Sequence, residues 1–171
     1  MVGGTLKRVA LLGGKGAALL VVAGIPKTSG AVSVPFIPSG MARPLGVLEI
    51  GVGAWVLVAP DTAALVAMAA MYCLLAASLS VAILRREPDC GCFGVEPVKP
   101  GITHLVVNVA FAASAVAGAA AASSGLTWFR PDPNERVLAV ALALLAAVML
   151  AELLSTGADL RTIRADLRRQ R

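Results

Sequence analysis

The chain predicts an all-α fold, a polytopic membrane helical bundle, and three observations carry that prediction. Of its 171 residues, 58% are hydrophobic and 15% charged, with a mean hydropathy of +0.83, whereas soluble domains carry about a quarter charged residues. The charges cluster between apolar runs instead of alternating with them. Taking about 20 residues as one crossing of a bilayer, five such runs qualify as spans. The net charge of +5 then belongs to flanking lysines and arginines. Nucleic-acid binding would need a basic face with aromatics or a recognition motif, and neither is present.

The first span runs from Arg8 to Pro26, interrupted by Lys15. A secretory signal peptide competes with it, because Lys7 and Arg8 precede an apolar run. Lys15 breaks that run and no small-x-small cleavage pattern follows before Lys27, which favours a retained span. The second span, Pro44 to Ala59, is short and borders the irregular segment Ala31 to Met41. Pro60-Asp61 makes a tight turn, and Asp61 caps the third span, Thr62 to Leu84, by accepting from N–H groups of its first turn. A polar loop, Arg85 to Pro100, follows. The fourth span covers Ile102 to Ala122, with Ala110, Ser114, Gly118 and Ala122 recurring every fourth residue as a small-residue packing face. Trp128-Phe129-Arg130-Pro131 reads as an interfacial belt, Val137 to Leu154 as a fifth span, and Gly157 to Arg171 as a basic amphipathic tail.

Two cysteines one residue apart, in Asp89-Cys90-Gly91-Cys92-Phe93-Gly94, make the polar loop the best clue to function. The glycine between them lets neighbouring side chains turn toward each other, and so tight a link would be strained and easily reduced. A partner thiolate could attack one sulfur, form a mixed disulfide and leave oxidised once its second thiol resolves the bond. Arg85, Arg86, Lys99 and the N-terminal end of the fourth helix favour a thiolate; Glu87 and Asp89 oppose it. The bland alternative is a structural disulfide or two idle thiols. Cys90, Cys92 and His104 supply at most three convergent ligands, so no metal site is expected. Cys73, within the third span, reads as a small buried apolar residue.

Charged and polar groups inside the spans are costly and therefore informative. Glu49 lies about five residues into the second span on the stripe with Gly53, and Lys27, just past the first span, reaches it if the two helices form a hairpin. A structural ion pair is the favoured reading of Lys27 and Glu49, ahead of direct chemistry. Lys15 and Glu152 are expected near helix ends, where they snorkel. His104 and Asn108, four apart, share a face of the fourth helix near the membrane surface closest to the cysteines. His104 could accept a proton or hydrogen-bond a quinone; its plain alternative is an interfacial histidine without chemistry.

Ala23-Gly24-Ile25-Pro26-Lys27, Leu48-Glu49-Ile50-Gly51, Cys90-Gly91-Cys92-Phe93-Gly94 and the stretch His104 to Asn108 together resemble the MauE-type methylamine utilisation family, which belongs with the DoxX-like integral membrane proteins. The resemblance covers Arg8 to Ala122, and the cysteine motif is its most specific part. It implies a DoxX-like four-helix core in the bacterial cytoplasmic membrane. It also implies a role in maturing the small subunit of methylamine dehydrogenase, a disulfide-rich periplasmic protein, beside a thioredoxin-like partner of the MauD type. The fifth span and the arginine-rich tail depart from a four-span core. The chain accordingly divides into a transmembrane core at 1–125, with the Cys-x-Cys loop at 85–101, and an additional helix with a basic tail at 126–171.

The expected function is a membrane thiol–disulfide redox component that exchanges disulfides with a thioredoxin-like partner as exported proteins mature. The alternative is a non-catalytic membrane scaffold or docking subunit braced by a structural disulfide; a transporter using Glu49 and Lys15 is weaker. Membrane thiol oxidases relay electrons through two cysteine pairs, and this chain has one pair and a lone thiol, so a partner protein or a quinone must complete the relay. Sidedness divides the indicators. With five crossings, ten lysines and arginines share the side of the cysteine loop and four lie opposite, which votes for a cytoplasmic loop. Without the five tail arginines the vote is nearly even, and disulfide chemistry favours a loop facing outside.

Overall fold

The computed structural model describes residues 2–29, 39–87, 100–124, 137 and 140–149. Four long helices make up most of it: α1 (Val2–Thr28), α2 (Ala42–Val58), α3 (Thr62–Arg85) and α4 (Ile102–Ser123), with a short 3-10 turn, Ser39–Met41, leading into α2. No strand occurs among the described residues. The all-helical expectation therefore holds, and the element boundaries fall within a few residues of those read from sequence for α2, α3 and α4.

Local chemistry sets the ends. α1 continues two residues past Pro26: the proline removes one bond to the turn before it, while its fixed φ still suits a helix and the amides that follow can go on bonding. There the Thr28 hydroxyl donates to the Ile25 carbonyl and the Ser29 hydroxyl to that of Pro26, each at 2.7 Å. Pro44 is tolerated in the first turn of α2, whose N–H groups have no intrahelical acceptor anyway. Asp61 caps α3 as expected, accepting from the Ala64 amide at 2.7 Å. At the other end of α3, Arg86 adopts a left-handed conformation with φ 56°. Its amide donates to Ile83 and the Glu87 amide to Ala82, at 3.2 and 3.0 Å, which is the Schellman pattern with arginine where glycine is usual.

Contacts fix the directions. Gly24 lies against Gly46 and Gly53 against Ala17, so α1 and α2 run antiparallel; Gly118 against Leu65 and Phe111 against Tyr72 make α3 and α4 antiparallel as well. These two pairings are the most extensive, while α1 also meets α4 and α2 meets α3. A three-residue connection joins α2 to α3 at one end. The end of α1, the start of α2, the end of α3 and the start of α4 gather at the other.

The shared core is built mainly from Ala17 to Leu20 of α1, Val52 and Val56 of α2, Met68, Met71 and Tyr72 of α3, and Phe111 and Ala115 of α4, with Ala147 joining from the helical segment 140–149. Small residues let the backbones approach closely. A Cβ on Gly24 would stand 2.6 Å from the Gly46 carbonyl, and one on Gly53 2.5 Å from that of Ala17. The outside is apolar too, with Val66, Leu74, Leu84, Val106, Val109 and Val116 exposed, a pattern that water would penalise and lipid would not.

Several expectations change. Of the five expected crossings, α3 and α4 are long and apolar enough to span a membrane. α2, with 17 residues, rises only about 25 Å against a hydrocarbon core of about 30 Å. Within the fifth expected span, Val140–Met149 is a shorter apolar helix. Lys15 lies midway along α1 and is exposed, not near a helix end, because α1 starts well before Arg8. Cys73 is exposed rather than buried: it shares the outward side of α3 with Leu74. The small-residue face of α4 holds at Ser114 and Gly118, but Ala110 points outward and Ala122 is only partly covered. The face α4 really buries carries His104, Asn108, Phe111, Ala115 and Ala119. The tryptophan-containing belt, the basic tail and Glu152 lie outside the described residues.

Candidate functional site

Four of the polar or charged residues buried in this bundle, Lys27, Glu49, His104 and Asn108, lie toward its loop-bearing end. Lys27 is the penultimate residue of α1 and Glu49 lies two turns into α2, and because the helices are antiparallel the two meet. The Lys27 ammonium donates to both carboxylate oxygens of Glu49, at 2.6 Å to Oε1 and 2.8 Å to Oε2. Their exposures are 2% and 0%. An isolated ion at such a position would cost several kcal/mol, and two close, hydrogen-bonded opposite charges offset that penalty. Gly46 makes the approach possible: a Cβ there would lie 2.8 Å from the Lys27 Cβ and 2.7 Å from the Gly24 carbonyl. The two helices thus form the expected hairpin and the two side chains meet in it.

His104 and Asn108 lie one turn apart near the start of α4, both 4% exposed. They share one face, as their spacing predicts, but that face turns into the bundle rather than toward an interface. Asn108 and Lys27 line the same small cavity, whose walls are Leu19, Leu20 and Ala23 of α1 with Tyr72 and Leu75 of α3. The structure therefore brings Lys27, Glu49 and Asn108 into one polar neighbourhood, with His104 a turn nearer the loop end.

Tyr72 escapes a reading of the sequence that looks for charges and thiols. It is 1% exposed, donates its hydroxyl to the Gly16 carbonyl at 2.6 Å and tilts its ring against Phe111 with centroids 5.2 Å apart. The signal was there: the chain's single tyrosine stands in the middle of an apolar run, where a phenol must find a partner. Its bond ties the α3–α4 pair to α1.

Cys90 and Cys92 lie outside the described residues. The chain between Glu87 and Pro100 that carries them leaves α3 and enters α4 at the loop-bearing end. No group of three or more histidine, cysteine or acidic side chains is positioned to hold a metal among the described residues.

Comparison with known proteins supplies the remaining constraint. The family model described as "Methylamine utilisation protein MauE" matches residues 9–121, well over half of the chain and all of α2, α3 and most of α1 and α4. Neither the curated proteins nor the solved structures give a match. The matched stretch contains the buried ion pair, His104, Asn108 and the two neighbouring cysteines, and the chain belongs to the MauE family of methylamine utilisation proteins.

Proposed function

We propose that this chain, tied by its family to methylamine utilisation, is a multi-pass protein of the bacterial cytoplasmic membrane that works as a thiol–disulfide redox component in the maturation of exported proteins. Methylamine dehydrogenase is the client this reading favours. A client thiolate attacks one sulfur of the Cys90–Cys92 disulfide, and the S–S bond breaks to give a mixed disulfide. The client's second thiolate then displaces the chain's sulfur. The client leaves with a disulfide, and two electrons remain on Cys90 and Cys92 as a dithiol. A thioredoxin-like partner restores the starting state by the same exchange with its own disulfide.

The observation that carries the reading is where the cysteine segment is anchored. α3 ends and α4 begins at the end of the bundle that holds the Lys27–Glu49 pair and His104, so both residues from which the cysteine segment departs belong to a braced body. The exposed apolar sides of α3 and α4 suit lipid, and with helix ends at the membrane surface a soluble partner can reach the loop. A loop facing outside fits the client's compartment.

A second reading is favoured by a different observation. The buried charges are paired and the Tyr72 hydroxyl is bonded, which is what a rigid scaffold or docking subunit needs; the cysteines would then brace the loop.

Mixed-disulfide trapping separates the two. Cys90→Ser and Cys92→Ser, expressed in turn in cells with the full methylamine system, leave one sulfur that cannot be resolved. Exchange predicts that one of them accumulates a covalent, reductant-sensitive complex with a thioredoxin-like protein or a client. If neither captures a partner while both insert normally, the exchange reading fails and the scaffold stands. Labelling intact cells with a membrane-impermeant thiol reagent reports the side: modification before lysis places the loop outside.

A further inference from the structure

Two polar side chains converge on the cavity between α1, α3 and α4 with hydrogen-bonding capacity left over. The Lys27 ammonium has three N–H donors, and two of them serve Glu49. Across the same cavity stands Asn108, 4% exposed, whose carboxamide makes no hydrogen bond among the described residues. The rest of the wall is hydrocarbon from Leu19, Leu20, Ala23 and Leu75, together with Tyr72, whose hydroxyl is already committed to Gly16. Leaving a buried donor or amide unbonded costs about 1–3 kcal/mol for each group.

The occupant is defined by this chemistry. It must accept from an ammonium and donate to a carboxamide oxygen, and the space is about that of a single water molecule. Glu49 already neutralises the lysine, so the site does not call for an anion. We propose that this cavity is a specific binding site for one water molecule, which accepts from Lys27 Nζ and donates to Asn108 Oδ1, and so links the α1–α2 ion pair to α4. Together with His104, one turn nearer the loop end, the bound water completes a column of polar groups from the start of α4 to Glu49. The site is independent of the thiol chemistry proposed above.

Solid-state NMR of the full-length protein in lipid vesicles tests this. The chain has four lysines, at 7, 15, 27 and 99. Replacing the other three by arginine and labelling with 15N-lysine isolates the Lys27 ammonium. Transfer of proton magnetisation from water to Lys27 Nζ is expected in this background. Asn108→Leu, which fills the cavity and removes the hydrogen-bonding group, is expected to slow the transfer several-fold. Asn108→Ser, which keeps a hydroxyl and adds room, is expected to preserve it. Absence of transfer before any change at Asn108 overturns the proposal, as does transfer at the same rate in Asn108→Leu, which would mean that water reaches Lys27 by another route. Should Asn108→Leu fail to insert, Asn108→Val, which also removes the hydrogen-bonding group, takes its place: slowed transfer supports the site and unchanged transfer overturns it.

Discussion

Lys27 and Glu49, 22 positions apart, hold each other through two hydrogen bonds of 2.6 and 2.8 Å while both are removed from solvent. The bond joins consecutive helices and depends on Gly46 and Gly24, whose missing side chains let the backbones close. Breaking such a pair from one side leaves an uncompensated buried charge, which costs about 3–5 kcal/mol. Lys27→Met and Glu49→Leu are each expected to destabilise the protein by about that much. The double variant, which removes both charges, should lose far less than the sum, because two apolar side chains can occupy the space. Equilibrium unfolding in mixed detergent micelles gives the double-mutant cycle; additive losses would contradict a direct interaction.

Two glycines of α2 make a controlled comparison. A Cβ on Gly53 would stand 2.5 Å from the Ala17 carbonyl oxygen and 2.8 Å from Val21 Cγ2, whereas one on Gly51 meets nothing within 4 Å. Gly53→Ala is expected to cost about 1–3 kcal/mol by forcing α1 and α2 apart. Gly51→Ala should be neutral or stabilising by up to about 1 kcal/mol, the usual gain in helix propensity. Thermal unfolding of the two variants side by side checks the ordering, and equal behaviour would refute the close crossing.

The two ends of α3 respond in opposite directions. Asp61→Ala removes the side-chain acceptor of the Ala64 amide and is expected to cost about 1 kcal/mol. Arg86→Gly relieves a left-handed conformation at φ 56° that disfavours any residue with a Cβ and should raise stability by about 1 kcal/mol. Shifts of melting temperature in these directions are the readout.

Cys73 offers a test of the surroundings of α3. The thiol is exposed beside Leu74 on an apolar helix of 24 residues. In a Cys90→Ser/Cys92→Ser background it is expected to react with a small membrane-soluble maleimide and to resist a charged one until detergent strips the lipid. Prompt reaction with the charged reagent in intact membranes would place this face in water.

What the sequence disclosed and what it hid follow from locality. Asp61 was legible because a cap is read from residues three apart, and Lys27–Glu49 because a lysine closing one span and an acid inside the next come within reach once the two form a hairpin. Tyr72 was passed over because its partner, Gly16, is 56 positions away on a helix that is not its neighbour in sequence. The rotation of α4 was misjudged at Ala110, and the exposure of Cys73 was missed, for a shared reason. Helices apolar all round carry no polar side from which to infer the inner one, and in a chain with 17 glycines and many alanines small-residue spacings occur on several faces at once. The span count was read from length and hydropathy, which α3 and α4 satisfy and α2 falls short of.

Because Lys27 and Glu49 belong to helices that follow each other in the chain, their charges can cancel during synthesis as soon as the second of the two has left the ribosome. The first hairpin can then pass into a bilayer with its buried lysine already neutralised, without waiting for α3 and α4 to arrive. Nascent chains arrested just before residue 49 would carry Lys27 without its counter-charge, and their retention at the translocation machinery would mark the moment the acid becomes necessary.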